Sequence, residues 1–180
     1  LCGIATLTRK FVDAAKPSKV KILDTRKTIP GLRVLEKYAV RMGGGYNHRM
    51  SLRDAILIKD NHIAVVRKKE KNSSLNDIVS RERMKAPDEQ IQIEVDTIRD
   101  FKEALSAKPD IIMLDNMSMP EMCACVRLRN QADTRIQLEI SGNVTVKSIA
   151  KLAKIGVERI SIGSLTHSPK SIDMSLQVTA

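Results

Sequence analysis

Arg26 and Lys27 stand side by side in the segment DTRKT, directly after the apolar run VKIL (20–23). His48 and Arg49 follow a run of three glycines, and Lys59 follows the apolar run AILI (55–58). Arginine holds a carboxylate or phosphate through two parallel hydrogen bonds, while lysine acts as a point charge. Together these side chains suit a ligand with more than one negative group. Two carboxylates answer them: Glu94 within IQIEV (91–95), and Asp115 just after IIML (111–114). Carboxylates at such places hold ribose hydroxyls, or hold Mg²⁺ through water next to a pyrophosphate. Ser141-Gly142-Asn143 and Gly163-Ser164 follow the last two apolar runs. Small residues there let backbone N–H groups approach a phosphate, helped by the start of the next helix.

These groups share one kind of position, which points to the elements beneath them. Six short β-rich runs, completed by IQLEI (136–140) and ISI (160–162), each end in polar or small residues. Helical stretches with apolar residues three and four apart lie between them: PGLRVLEKYAVRM, SLNDIVSRERMK, IRDFKEALSAK, MPEMCACVRLRNQ and VKSIAKLAKIG. The later runs start about 20 to 25 residues apart, the repeat of a βα unit. The expected fold class is α/β: a parallel sheet of about six strands with helices outside. It closes toward a (β/α) barrel or stays an open doubly wound sheet. In either form ligands bind at the carboxyl ends of the strands, so the six rims are expected to form one pocket.

Other segments are read as scaffold. Leu1 to Ala15 form a helix with Ile4, Leu7, Phe11 and Val12 on one face and no Ser, Thr, Asp or Asn before it as a cap. Three consecutive glycines, 43–45, exceed what a helix C-cap needs and allow unusual backbone angles and close approach. A flexible linker is the alternative. Arg67 to Glu70 read as a solvated charge run in a loop, and the tail IDMSLQV as a last edge strand. His48, His62 and His167 match no zinc-ligand spacing.

Bulk properties narrow the partners. The chain has 180 residues, 42% of them hydrophobic, which suits one globular domain. No apolar run reaches the length of a membrane span, and no signal peptide opens the sequence. Cys2, Cys123 and Cys125 are odd in number, and Cys-Ala-Cys faces opposite sides of a helix. Reduced thiols in a cytoplasmic protein are expected. The net charge of +10 favours an anionic partner. Only 2% of residues are aromatic, which argues against stacking recognition of single-stranded nucleic acid. A nucleic-acid-binding module would show binding that collapses with salt, and the acids on the same rim argue against it.

GIATLTRKFVDA, DTRKTIPGLRVLEKYAVRMGGGYNHR, ILIKDNHI, IEVD, IMLDN, EISGNV and ISIGSLTHS, in this order, closely resemble quinolinate phosphoribosyltransferase. The resemblance runs almost the whole length of the chain. It implies an enzyme of de novo NAD biosynthesis that joins quinolinate to phosphoribosyl pyrophosphate, with Mg²⁺. The products are nicotinate mononucleotide, pyrophosphate and CO₂. It implies an open α/β barrel as the catalytic domain (1–180), preceded by an N-terminal α/β domain from which the first helix continues. That domain is expected to add an arginine to quinolinate binding, and in a homodimer to complete the partner's site. By position, Arg26, Lys27, His48 and Arg49 would grip the two carboxylates, with Thr25 alongside. Lys59 would reach both substrates. Glu94 and Asp115 would contact ribose hydroxyls and the metal-bound pyrophosphate, so Lys59, Glu94 and Asp115 are the expected catalytic residues. Ser141, Gly142, Asn143, Gly163 and Ser164 would cradle the 5′-phosphate. Many relatives read Ser-Gly-Gly where this chain has Asn143, a place where backbone donors still serve. A nicotinate-using relative would need fewer cations, because its substrate has one carboxylate.

Overall fold

A computed structural model describes residues 1–70, 73–132 and 135–178. Six strands form one sheet: β1 (Lys21–Leu23), β2 (Ile56–Ile58), β3 (Ile91–Val95), β4 (Ile111–Asp115), β5 (Gln137–Ser141) and β6 (Arg159–Ser161). Their order is β1-β6-β5-β4-β3-β2, and every pair is parallel. The order is cyclic with one break, so the barrel is open along a seam between β1 and β2. Tyr46 occupies that seam beside β1. It forms a parallel bridge to Leu23, its amide donates to the Ile22 carbonyl at 2.8 Å, and its carbonyl accepts from the Asp24 amide at 3.2 Å.

The helices lie outside the sheet. They are α1 (Cys2–Ala15), α2 (Arg33–Met42), α3 (Asp60–Lys69), α4 (Leu75–Lys85), α5 (Ile98–Ala107), α6 (Met119–Ala132), α7 (Val146–Leu152) and the single turn α8 (Ser164–His167). Local chemistry sets where several begin. Ser74, Thr97 and Thr145 accept hydrogen bonds from the amides of Asp77, Asp100 and Ser148 at 3.1–3.2 Å. Each satisfies a donor that the first helical turn leaves free.

Strand alternation separates core from cavity. Ile91, Ile93 and Val95 of β3, Ile112 and Leu114 of β4, Leu138 and Ile140 of β5 and Ile160 of β6 join the core, as do Phe101 and Ala104 of α5. Burying one such large apolar side chain is worth about 1.5–3 kcal/mol. The intervening residues point into the barrel, and they include the polar side chains of Gln92, Glu139 and Arg159. At the end of the barrel away from the cavity, Arg129 of α6 donates to the carbonyls of Ile136 at 2.9 Å and Gly156 at 3.1 Å and pairs with Glu158, tying α6 to the starts of β5 and β6.

The glycine run is a close packing contact between α2 and α1. A methyl group on Gly43 would lie 2.5 Å from the Ala5 carbonyl oxygen, and one on Gly45 would lie 2.8 Å from the Thr8 side chain. Two expectations are corrected. Arg67 to Lys69 are the last turn of α3, because DNHIAVVRKK carries the apolar spacing of a helix through Ile63 and Val66. The tail pairs with no strand among the described residues. Leu176 and Val178 are at least nine-tenths exposed, so its alternation buries nothing. No helix among the described residues is long and apolar enough to cross a membrane.

Candidate active site

The carboxyl ends of the strands surround a cavity of about 1080 Å³. Thr25, Arg26, Lys27, His48, Arg49, Lys59, Glu94, Asp115, Ser141, Gly142, Asn143, Gly163 and Ser164 all line it. The inward alternation explains the gathering. Glu94, Asp115 and Ser141 are the inward residues at or near the ends of β3, β4 and β5, and Lys59 follows β2 directly.

The cationic side is held by side chains. Asp24, next to the site but fully buried, turns away from the rim and pairs with buried Lys37 of α2. Asp24 also accepts from Asn47 Nδ2 at 2.6 Å and from the His48 amide at 2.9 Å, while Lys37 donates to the His48 carbonyl at 2.9 Å. Burial pushes the Asp24 pKa up and the Lys37 pKa down, against their mutual attraction. This pair anchors 47–49 to β1 and α2. The Arg26–Lys27 turn is held separately. Thr25 Oγ1 accepts from the Lys27 amide at 3.1 Å, Thr166 Oγ1 donates to the Lys27 carbonyl at 2.7 Å, and Arg33 donates to Thr28 Oγ1 and the Met50 carbonyl at 3.0 and 3.2 Å.

Arg49 is braced by a 2.9 Å bond from Nη1 to the Ala55 carbonyl. Burial lowers its pKa, and the neighbouring Arg26 adds repulsion. Two guanidinium groups that repel across a cavity are stabilised by an anion between them. His48 lines the same wall, but its Nδ1 accepts from the Arg49 amide at 2.9 Å and its Nε2 lies 3.3 Å from Glu139. Lys59 pairs with Glu94 at 2.6 Å, and Asp115 accepts from Asn116 Nδ2 at 2.9 Å. His62 belongs to the start of α3. Its Nδ1 accepts from the Lys59 amide at 3.1 Å and caps α3.

The opposite side is held by backbone. Gly142 has φ +93°, and a methyl group there would stand 2.1 Å from Asn116 Oδ1. Asn116 and Asn143 are both left-handed, with φ +53° and +48°. Asn143 Nδ2 donates to Asn116 Oδ1 at 3.2 Å, and the Asn116 amide donates to the Ser141 carbonyl at 3.0 Å. The β4 and β5 turns therefore lock together at the cavity. A methyl group on Gly163 would approach the His167 ring at 3.2 Å and the Lys27 chain at 3.3 Å, which brings the two sides within reach of each other. Sequence reasoning missed His167 and Ser168 as lining residues, along with Leu7 and Phe11 of α1. The four-residue step from Gly163 to His167 was the available signal, since one helical turn returns His167 to the same face.

The description "Quinolinate phosphoribosyl transferase, C-terminal domain" matches residues 4–177. The chain is 41% identical over 178 residues to the nicotinate-nucleotide pyrophosphorylase [carboxylating] of Mycobacterium leprae, covering 99% of this chain and 61% of that protein. It is 40% identical to quinolinate phosphoribosyltransferase [decarboxylating] 1b of Nicotiana tabacum, covering 53% of it. The crystal structure of NadC from Streptococcus pyogenes superposes with a TM-score of 0.86 at 43% identity, over 98% of this chain and 59% of that one. The chain thus spans roughly half to three-fifths of the length of the relatives it matches.

Proposed function

The chain belongs to the quinolinate phosphoribosyltransferase family, and from that membership we propose that its site transfers the phosphoribosyl group of phosphoribosyl pyrophosphate to quinolinate. Decarboxylation follows, giving nicotinate mononucleotide, pyrophosphate and CO₂ in de novo NAD biosynthesis. The observation that carries the reading is the two-sided cavity. Arg26, Lys27, Arg49 and Lys59 line it together with Ser141-Gly142-Asn143, Gly163-Ser164 and the carboxylates Glu94 and Asp115. A dianionic acid fits the first side and a sugar phosphate the second.

In this mechanism Arg26 and Arg49, with Lys27, neutralise the two carboxylates and aim the ring nitrogen at the anomeric carbon of the sugar. The C–O bond to pyrophosphate breaks as the N–C bond forms. Positive charge that develops on the sugar is stabilised by Glu94 or Asp115. Lys59 lies between the two substrates and neutralises charge from either. The carboxylate next to the quaternised nitrogen then leaves as CO₂. Its electron pair remains on the ring carbon, stabilised by the adjacent positive nitrogen, and that carbon takes up a proton. No side chain acts as a covalent nucleophile. His48 supports the clamp from behind, since both its ring nitrogens face protein groups.

Among the described residues no three acid, histidine or cysteine side chains gather as direct metal ligands, so Mg²⁺ would be held through the pyrophosphate and water, near Glu94 and Asp115 on the cavity wall. When bound there with the pyrophosphate, Mg²⁺ supplies charge neutralisation for the leaving group. The enzyme is read as cytoplasmic and as a homodimer. Leu35, Tyr38 and Met42 form an apolar stripe on α2 that is roughly half exposed, a face that a second copy would cover.

Calorimetric titration of quinolinate at moderate salt, with nicotinate as control, tests the reading. Selective binding of quinolinate is expected, and Arg26→Ala should weaken it on the order of ten- to a hundredfold. Equal affinity for the two acids, or an unchanged Arg26→Ala affinity, removes the dicarboxylate clamp.

A further inference from the structure

Beneath the cation side lies a carboxylate that touches no cavity space. Glu139, on β5, is completely buried inside the barrel. Its Oε2 accepts from Arg159 Nε of β6 at 2.7 Å, and the two residues are register partners. Its Oε1 lies 3.3 Å from His48 Nε2, a close contact short of a hydrogen bond, and among the described residues both buried atoms are without any hydrogen-bond partner. Burial pushes the Glu139 pKa up, but the His48 contact and the Arg159 guanidinium outweigh it, so the carboxyl sits below its ordinary value.

The ring of His48 passes this contact upward. Its Nδ1 accepts from the Arg49 amide at 2.9 Å, so the ring proton is on Nε2 and faces Glu139. Only an acceptor below the ring is compatible with that tautomer. We propose that Glu139 is a positioning residue for the acid-binding cations, fixing the His48 tautomer and through it the Arg49 backbone. The assignment of that side of the cavity to the acid rests on the proposed function above.

Glu139→Gln separates this role from simple packing, because it preserves shape. A carboxylate accepts from both His48 and Arg159. A carboxamide has one acceptor and one donor, so one neighbour is left donor against donor. If the amide NH₂ faces His48, the ring proton must move to Nδ1, where it meets the Arg49 N–H. Arg49 then shifts, and the phosphoribosyl side is untouched.

The test combines two readouts on the full chain. The protein has three histidines, so nitrogen NMR of labelled protein, with His62→Gln and His167→Gln for assignment, resolves the His48 ring. The expected result is a proton on Nε2 and none on Nδ1; a proton on Nδ1 overturns the proposal without any variant at residue 139. In Glu139→Gln the His48 signal should change tautomer, and the KM for quinolinate should rise about tenfold while that for phosphoribosyl pyrophosphate holds. An equal rise in both KM values reduces Glu139 to structural packing and overturns it. Wild-type protein that transfers no phosphoribosyl group defeats the functional reading alone, since the His48 spectrum still decides what Glu139 holds.

Discussion

The two sides of the cavity reach the same sheet by different physical means. The cation side hangs from β1 and β2, edge strands of three residues each that flank the open seam. Edge strands offer little backbone to build on, and a buried charge pair with a ring of side-chain bonds replaces it: Asp24 with Lys37, Arg33 to the Arg26–Lys27 turn, and Thr166 to Lys27. The anion-cradling side leaves β4, β5 and β6, strands with neighbours on both sides, of which β4 and β5 have five residues each. There the backbone itself is the instrument, shaped by Gly142 and the left-handed Asn116 and Asn143. The first side is therefore sensitive to loss of charge partners, and the second to added atoms.

The largest effect expected from this difference is at Lys37. Lys37→Met leaves Asp24 charged and buried without its counter-ion, which costs about 3–5 kcal/mol. The denaturation midpoint should fall accordingly. Adding Asp24→Leu should recover only part of the loss, because Asn47 and the His48 amide also donate to Asp24. A Lys37→Met cost within about 0.5 kcal/mol, the range of surface substitutions, would mean that the cation side does not depend on its buried pair.

Gly142→Ala comes next and strikes the other side. Residue 142 sits at φ +93°, and the new methyl group would meet Asn116 Oδ1. The strain is about 1–3 kcal/mol. The affinity for phosphoribosyl pyrophosphate should drop while calorimetry shows quinolinate binding unchanged. Loss of both affinities together would mean that the two sides are not mechanically separate.

This contrast also explains what the sequence revealed. The strands were legible because β-rich runs bounded by polar rims recur at a βα period, and IQIEV coincides with β3. The cavity lining was legible for the same reason: a residue that ends a parallel strand points to the mouth of the barrel. Lys37 was not legible. Its helix reads as amphipathic, and a single lysine on it resembles any solvated one until Asp24 is placed beneath it. Glu139 was hidden in the same way within IQLEI, where strand alternation marks it as facing the barrel but cannot supply Arg159 and His48. Buried polar networks join residues distant in sequence, here 13, 20 and more apart, and no local pattern encodes their pairing.

The smallest expected effect falls at Asn143, where the chain departs from Ser-Gly-Gly. Asn143 has φ +48°, a conformation that asparagine tolerates and glycine adopts freely. Asn143→Gly removes the backbone penalty and also the 3.2 Å bond from Nδ2 to Asn116 Oδ1. That bond is exposed, so water replaces it at little cost, while the glycine loses more entropy on folding. The opposing contributions are each within about 1 kcal/mol, and stability should change by less than that. If the backbone donors of 142–143 do the holding, the affinity for phosphoribosyl pyrophosphate in calorimetry should also stay within about twofold. A large loss would show that the Asn143 carboxamide itself holds the ligand, and the cradle would then be partly a side-chain device, like the wall it faces.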